Sequence, residues 1–306
     1  MTVPPEKIAF VDIYPPIGIA RVGDSDEYYL GPEIPGVEPI QKNGFKDSQH
    51  RIKKQAVRFR VYAYGEDSQL LGELTDGKEY ALEWTVHVAN KKAAWVKFRG
   101  RYEDEEWNLR NPEVQPWPKN TEPTYEYTDQ RDQLIIDSGE QRVSKISQQP
   151  VPLQGQFCNA RPDEKKEPVD VNLGSLLTDE HGRLVFLPSN GDSFCTRDSN
   201  RHPDLESEMD NNDWVDSTCD GTVKVAVKSH ESPETKIKLR NKATIITAPP
   251  KFTPGIQSVT SLLDLIEDIY ENQDRKEDYK GCILSLGRTF MPHLGMVCAM
   301  PPLNLV

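Results

Sequence analysis

The sequence predicts a mainly β protein with antiparallel, β-sandwich-like sheets, long loops and one amphipathic helix near the C-terminus. Three observations support this. Apolar and polar residues alternate with period two through the first half of the chain, turn-forming residues separate the alternating stretches, and one late segment has apolar residues at helical spacing. Helices of crossover length do not separate the strands, which favours antiparallel pairing over a parallel, doubly wound sheet.

The two clearest strands lie at Val57–Ala63 and Tyr80–Val88. In each of them every second residue is apolar, and polar residues occupy the opposite face. Between them, Thr75–Lys78 is typical of a tight turn in which Gly77 can adopt a positive φ, so we expect a hairpin-like pair. Shorter strands are predicted at Ala94–Phe98, Leu134–Asp137, Leu184–Leu187, Val223–Val227 and Thr244–Thr247.

Three polar segments, rich in proline or in turn-forming residues, predict long loops. They lie at 103–123, 159–170 and 189–213. The strands and loops together predict a β-rich domain over residues 1–250. Residues 251–306 are expected to form the helix and an apolar C-terminal tail.

The helix is predicted to begin after Pro254 and Gly255, which break the preceding strand. An apolar stripe then follows one helical face while acidic residues occupy the other. An apolar stripe must be buried against the protein's own core or against a partner. The stripe comprises Val259, Leu262, Leu263, Ile266 and Ile269.

Composition and charge exclude several classes of function. A net charge of -12 and a pI near 5.1 disfavour nucleic-acid binding, which needs concentrated basic residues. The longest apolar runs are far shorter than the roughly 20 residues that cross a bilayer, and the first residues do not form a secretory signal. Five cysteines without a C-x-x-C pair favour reduced thiols. We therefore expect a cytoplasmic protein that binds neither nucleic acid nor membrane.

Acidic residues cluster around a tryptophan late in the β-rich region. Asp210, Asp213, Trp214, Asp216 and Asp220 lie within a few positions of one another. Carboxylates in a loop can bind calcium, but the spacing is not that of an EF-hand, and aspartate is common in turns, so a turn is favoured over a cation site. The six histidines stand singly, and the sequence lacks a nucleophile elbow, a Walker loop and a dinucleotide fingerprint.

Arg21 is the candidate ligand-binding residue of the N-terminal run. Pro15 and Pro16 fix an extended entry to this run, and Gly18 and Gly23 permit close approach of the backbone. A guanidinium in this setting can clamp a ligand carboxylate. An internal ion pair is the more common structural use of arginine and is the favoured interpretation.

The run Ile13–Ser25 resembles the opening of the lysine epsilon-oxidase family. Similar segments follow at Phe45–Asp47, Arg51–Phe59, Trp214–Gly221 and Pro249–Ile269. Together they cover most of residues 8 to 270. The chain is therefore similar to the N-terminal half of L-lysine 6-oxidase-like proteins.

This resemblance implies an oxidoreductase of the amino-acid oxidase kind, in which a quinone carbonyl captures the substrate amine as a Schiff base and oxygen reoxidises the cofactor. The family's cofactor is cysteine tryptophylquinone, made from one Cys and one Trp of the C-terminal half. No residue of this chain matches those two, so the resemblance implies no cofactor here. The expected role is an incomplete scaffold domain that acts with a protein partner or in a biosynthetic pathway. A partner or a second copy would dock through the C-terminal helix.

Two alternatives remain open. One is a non-enzymatic protein-interaction module with an acidic surface. The other is a complete small oxidoreductase that uses a Cys and Trp pair of its own.

Overall fold

The structure is a computed structural model that describes residues 3–33, 44–94, 111, 131–145, 149–158, 168–196 and 213–250. The chain divides into two units, Met1–Phe252 and Thr253–Val306, and all described residues belong to the first. The predicted C-terminal helix and tail lie outside the described residues, as does most of each predicted long loop. The domain boundary near residue 250 therefore stays a prediction.

Within the described ranges the fold consists of strands and a few short 3-10 turns. No helix there reaches seven residues, which confirms the mainly β prediction, and none is long and apolar enough to cross a bilayer. The strands are β1 Phe10–Tyr14, β2 Ile17–Arg21, β3 Tyr28–Leu30, β4 Lys54–Tyr64, β5 Leu70–Leu74, β6 Tyr80–Asn90, β7 Ile136–Ser144, β8 Val151–Phe157, β9 Val169–Thr178, β10 Leu184–Pro188, β11 Ser193–Cys195, β12 Trp214–Asp216, β13 Asp220–Ser229 and β14 Ala243–Ala248.

Twelve of these strands form one sheet, and β11 and β12 form a separate two-stranded ribbon. The order in the large sheet is β7-β6-β13-β14-β2-β4-β10-β9-β8, with β1, β3 and β5 also paired to β4. The two end strands come together at Gly155, where an added Cβ would lie 2.8 Å from the backbone nitrogen of Asp137. The sheet is therefore nearly closed and barrel-like.

This arrangement differs from the predicted antiparallel sandwich in two respects. The large sheet is continuous because β4 is long and exchanges neighbours along its length. It pairs with β10 around Val57 and with β1 and β5 farther along. In addition, two pairings are parallel, β14 with β2 and β3 with β4.

The hairpin predicted between Val57–Ala63 and Tyr80–Val88 is wrong, although both strands exist. β4 pairs with β5, a short half-buried strand that the alternation did not reveal. β6 instead pairs with β7 and β13. The turn before β6 forms with a hydrogen bond from the nitrogen of Gly77 to the oxygen of Tyr80, and Gly77 does not have a positive φ.

The core fills the inside of the curled sheet. Trp84 is fully buried, and its indole Nε1 donates to the carbonyl of Gly182 at 2.8 Å, so its polar atom is satisfied. Full burial of a large apolar side chain contributes about 1.5–3 kcal/mol, so this interior supplies most of the driving force for folding. Large, fully buried apolar side chains of the same core include Phe59, Phe157, Phe186, Leu82, Leu153 and Leu173.

Candidate functional site

Three of the five candidate residues, Asp213, Trp214 and Asp216, come together at the β11–β12 ribbon. Trp214 lies opposite Cys195, and Asp216 lies opposite Ser193. Arg21 and Asp220 lie apart from this group, on β2 and at the start of β13.

Asp213 is a buried turn residue. Its φ of 58° places it in the left-handed region, which aspartate adopts more readily than most residues. Its backbone nitrogen donates to Oδ1 of Asn111 at 2.8 Å, and its carbonyl accepts from the backbone nitrogen of Thr196 at 2.8 Å. Asp213 therefore fixes the positions of Asn111 and Thr196.

Arg131 completes this group and was not predicted from the sequence. Its side chain is fully buried and donates to three carbonyls, those of Ala93 at 3.0 Å, Ala94 at 3.1 Å and Asn111 at 3.2 Å. Burial lowers the pKa of Arg131 to about 10, which leaves the guanidinium charged at neutral pH. We call Ala93, Ala94, Asn111, Arg131 and Asp213 the arginine node.

Asp216 is a buried carboxylate whose two oxygens both accept hydrogen bonds. Oδ1 accepts from Asn90 Nδ2 at 2.9 Å and from the backbone nitrogen of Thr218 at 3.0 Å, while Oδ2 accepts from Lys92 Nζ at 2.8 Å. Asn90 also donates to the Asp216 carbonyl at 2.9 Å. Because hydrogen bonds to an ionised group are roughly twice as strong as neutral ones, Asp216 joins the end of β6 firmly to β12.

The acidic cluster does not form a metal centre within the part of the chain that the structure describes. No group of three or more His, Cys, Asp or Glu side chains is placed there to hold an ion. The contacts of Asp213 and Asp216 support the turn interpretation of this segment. Asp210, the remaining acid of the cluster, lies outside the described residues.

Arg21 and Asp220 both hold the C-terminal end of β14. Nη1 of Arg21 donates to the carbonyl of Pro249 at 2.9 Å. The Asp220 carboxylate accepts from the backbone nitrogen of Thr247 at 3.3 Å. The described hydrogen bond of Arg21 is thus to a carbonyl rather than to a carboxylate.

The described cysteines and tryptophans can be tested against a quinone cofactor, which must admit a substrate amine. Trp84 is fully buried with its indole nitrogen bonded to Gly182. Burial raises the pKa of the Cys219 thiol to about 12, so the thiol stays protonated and unreactive. Cys195 and Trp214 are register partners, but Cys195 is only 2% exposed. Trp84, Cys195 and Cys219 therefore do not fit an open quinone site. Cys158 is partly exposed just after β8, and the remaining candidates lie outside the described ranges: Trp95, Trp107, Trp117, Cys282 and Cys298.

A network of ion pairs covers the outer side of β4, β5 and the β9–β10 turn. Glu33 accepts from Arg58 at 2.5 Å and from Arg60 at 2.9 Å, and Glu73 joins Arg60 to Arg183. Burial alone would raise the pKa of Glu33, but the hydrogen bonds from the two arginines outweigh it and lower the pKa. Arg58 and Arg60 therefore occupy the polar face of β4, as the alternation predicts, and their charges are neutralised within the protein.

A known protein family matches most of this chain. The model of a family described as "L-Lysine epsilon oxidase N-terminal" matches residues 14–240, and the chain belongs to that family. Among individual proteins, the chain is similar to L-lysine 6-oxidase from Marinomonas mediterranea, with 29% identity over 325 residues, 92% of this chain and 41% of that protein.

Solved structures agree with this similarity. The structure of the epsilon-lysine oxidase from Marinomonas mediterranea matches with a TM-score of 0.57 and 26% identity, covering 85% of this chain and 39% of that one. The crystal structure of the Schiff base intermediate of the same L-Lys epsilon-oxidase with L-Lys matches with a TM-score of 0.55, 26% identity and the same coverage. The chain thus spans about two fifths of the length of the relatives that it matches.

Proposed function

We propose that this chain is the scaffold domain of an oxidoreductase related to L-lysine 6-oxidase, that it is catalytically incomplete alone, and that it acts with a protein partner or in a biosynthetic pathway. The observation that carries the proposal is the extent of the similarity. The match covers 92% of this chain and 41% of L-lysine 6-oxidase, and the family model that matches residues 14–240 is described as the N-terminal part of the oxidase.

The site contacts support a structural role for the candidate residues. Asp216 has both carboxylate oxygens occupied by donors, and Arg131 donates to three carbonyls. Such groups fix the backbone around β6 and β12 and leave little capacity for acid–base chemistry. In this proposal the arginine node and Asp216 hold the backbone near Ala94 and Thr196 in place.

The proposal includes the absence of a cysteine tryptophylquinone from this chain. Trp84, Cys195 and Cys219 are buried, so these described residues are not open to a substrate amine. When such a quinone is bound in an oxidase it supplies the carbonyl that captures the amine. In this proposal a protein partner supplies that group.

A cytoplasmic location and the lack of contact with nucleic acid or membrane belong to the same proposal. Three described cysteines, Cys158, Cys195 and Cys219, are free thiols, as expected in a reducing compartment. The net charge of -12 opposes binding to polyphosphate and to anionic lipid surfaces.

The proposal is tested by measuring oxygen consumption with L-lysine as substrate. The purified full chain should consume no oxygen. A chimera in which residues 14–240 of this chain replace the matching part of Marinomonas L-lysine 6-oxidase should fold and oxidise lysine, because the scaffold is shared. The same chimera carrying Asp216→Ala is the matched control and should lose soluble yield. Lysine-dependent oxygen consumption by the chain alone would refute the proposal.

A second candidate function is a non-enzymatic protein-interaction module. The exposed isoleucines on the outer face of β2 and β14 favour it, because contiguous exposed apolar side chains mark interaction surfaces. A chimera that folds but never oxidises lysine would favour this candidate over the scaffold role.

A further inference from the structure

The outer face of β2 and β14 carries a contiguous apolar patch. Three isoleucines there are well exposed: Ile17 at 53%, Ile19 at 48% and Ile246 at 39%. The parallel register of the two strands places Ile19 beside Ile246 and Ile17 beside Thr244. We call these three isoleucines the isoleucine patch.

Single exposed aliphatic side chains are ordinary on protein surfaces, but three neighbours on adjacent strands are not. The inner face of this pair is already buried, as the positions of Ala20 and Ile245 show. Among the described residues, the outer face of the pair is open to solvent at Ile17, Ile19 and Ile246.

The same outer face is polar along β13 and along the next two strands, β6 and β7. There His87 contacts Asp137 at 2.5 Å, and Lys224 contacts Glu140 at 2.7 Å. The isoleucine patch is thus a bounded region with a charged rim, which is the usual composition of an interface.

One acid and one base border the patch on different sides. Asp220 is the register partner of Ile246 on β13, and Arg21 lies on β2 one outward position beyond Ile19. A twofold pairing of two such faces can place Arg21 of each copy opposite Asp220 of the other. The patch with this border is locally neutral, whereas the whole chain has a net charge of -12 that makes two copies repel elsewhere.

We propose that the isoleucine patch pairs face to face with the same patch of a second copy of this chain. β-Branched side chains have few rotamers to lose on association, so they suit a flat contact of this kind. The small area supports a weak, concentration-dependent dimer rather than an obligate one. This dimer does not depend on the scaffold function proposed above.

Sedimentation velocity of the full chain over a range of concentrations tests the proposal. The wild-type chain should shift from monomer to dimer as concentration rises, and Ile19→Asp should abolish that shift. Leu70→Asp is the matched control, because Leu70 is 54% exposed on β5, away from the patch, and the variant should still dimerise. Circular dichroism shows whether each variant keeps the strand content of the wild type.

Arg21 and Asp220 also hold the end of β14, so the combined charge reversal is what separates a dimer contact from a local folding defect. Arg21→Asp and Asp220→Arg should each weaken the dimer by roughly tenfold or more, because each places like charges together. The double variant carrying both changes should restore it. A full chain that stays monomeric at every concentration overturns the proposal, as does a dimer that Ile19→Asp leaves intact. A dimer that is lost only in Leu263→Asp with Ile266→Asp assigns association to the predicted C-terminal helix and also overturns it.

Discussion

Arg131 links parts of the backbone at the candidate site that are distant from one another in the sequence. Its guanidinium donates to the carbonyls of Ala93, Ala94 and Asn111 inside the protein. An Arg131→Met substitution keeps an apolar stem but removes these donors. Each buried polar group left without a partner costs about 1–3 kcal/mol, so the free energy of unfolding should fall by about 3 kcal/mol or more. Urea denaturation at neutral pH measures this change.

Arg142 supplies the control for that substitution. Its side chain is 68% exposed, and it lies 3.9 Å from the carboxylate of Glu83. Surface pairs of this kind contribute roughly 0–1 kcal/mol, so Arg142→Met should change the unfolding free energy by less than about 1 kcal/mol. Equal losses in the two variants would contradict the role assigned to Arg131.

Glu33 gives the network on the outer side of β4 a dependence on pH. Hydrogen bonds from Arg58 and Arg60 outweigh burial and hold the pKa of Glu33 below its usual value. A carboxyl group with a lowered folded-state pKa stabilises the fold above its unfolded-state pKa. That stabilisation is lost as the pH falls through the folded-state pKa.

Glu33→Gln should therefore be less stable than the wild type at pH 7. The difference in unfolding free energy should shrink as the pH falls below about 4.3, the ordinary value for glutamate. Chemical denaturation at a series of pH values measures both chains. A difference that stays constant down to the acid limit would show that the ion pairs of Glu33 contribute no stability.

At the scale of the strand pair, Gly155 permits the two ends of the large sheet to meet. A Cβ at this position would lie 2.8 Å from the nitrogen and 3.0 Å from the oxygen of Asp137, and 2.7 Å from a side-chain carbon of Ile136. Gly155→Ala should therefore cost about 1–3 kcal/mol of stability, as overpacking usually does. Gly77→Ala is the control, since an added Cβ there meets nothing within 4 Å. If both alanine variants unfold at the same urea concentration, close contact between β7 and β8 is not required.

The elements themselves were predictable to different degrees. β4, β6, β10, β13 and β14 were found because alternation and β-branched runs are local properties of the sequence. Their partners were not, because β4 exchanges neighbours along its length and β14 pairs in parallel with β2, far away in the chain. Strands paired in this way are not joined by a short turn, so no local sequence signal predicts their pairing.

The candidate site shows the same limit. Asp213 and Asp216 were found because aspartates in a turn-rich segment are conspicuous. Arg131 was missed because a single arginine in a polar stretch looks like any surface residue. Only the folded backbone reveals that three carbonyls converge on its guanidinium. The resemblance to lysine epsilon-oxidases, in contrast, followed from short motifs and is confirmed by the family match over residues 14–240.

At the scale of the whole molecule, the predicted C-terminal helix remains a proposed docking element for a partner. Its stripe of Val259, Leu262, Leu263, Ile266 and Ile269 would contribute on the order of 1.5–3 kcal/mol per buried side chain. Leu263→Asp with Ile266→Asp should abolish partner capture and leave the strand-dominated circular dichroism spectrum unchanged. A double variant that fails to fold would show that the stripe belongs to the protein's own core.

The central claim is that this chain is an oxidase scaffold without its own quinone. Intact mass spectrometry of the purified full chain tests it most directly, because a cysteine tryptophylquinone changes the mass through a new thioether bond and added oxygen. The scaffold account predicts the mass of the unmodified sequence after any processing of the initiator methionine, with no visible absorbance and no redox-cycling stain on a denaturing gel. A shifted mass accompanied by a covalently retained redox signal would contradict the account.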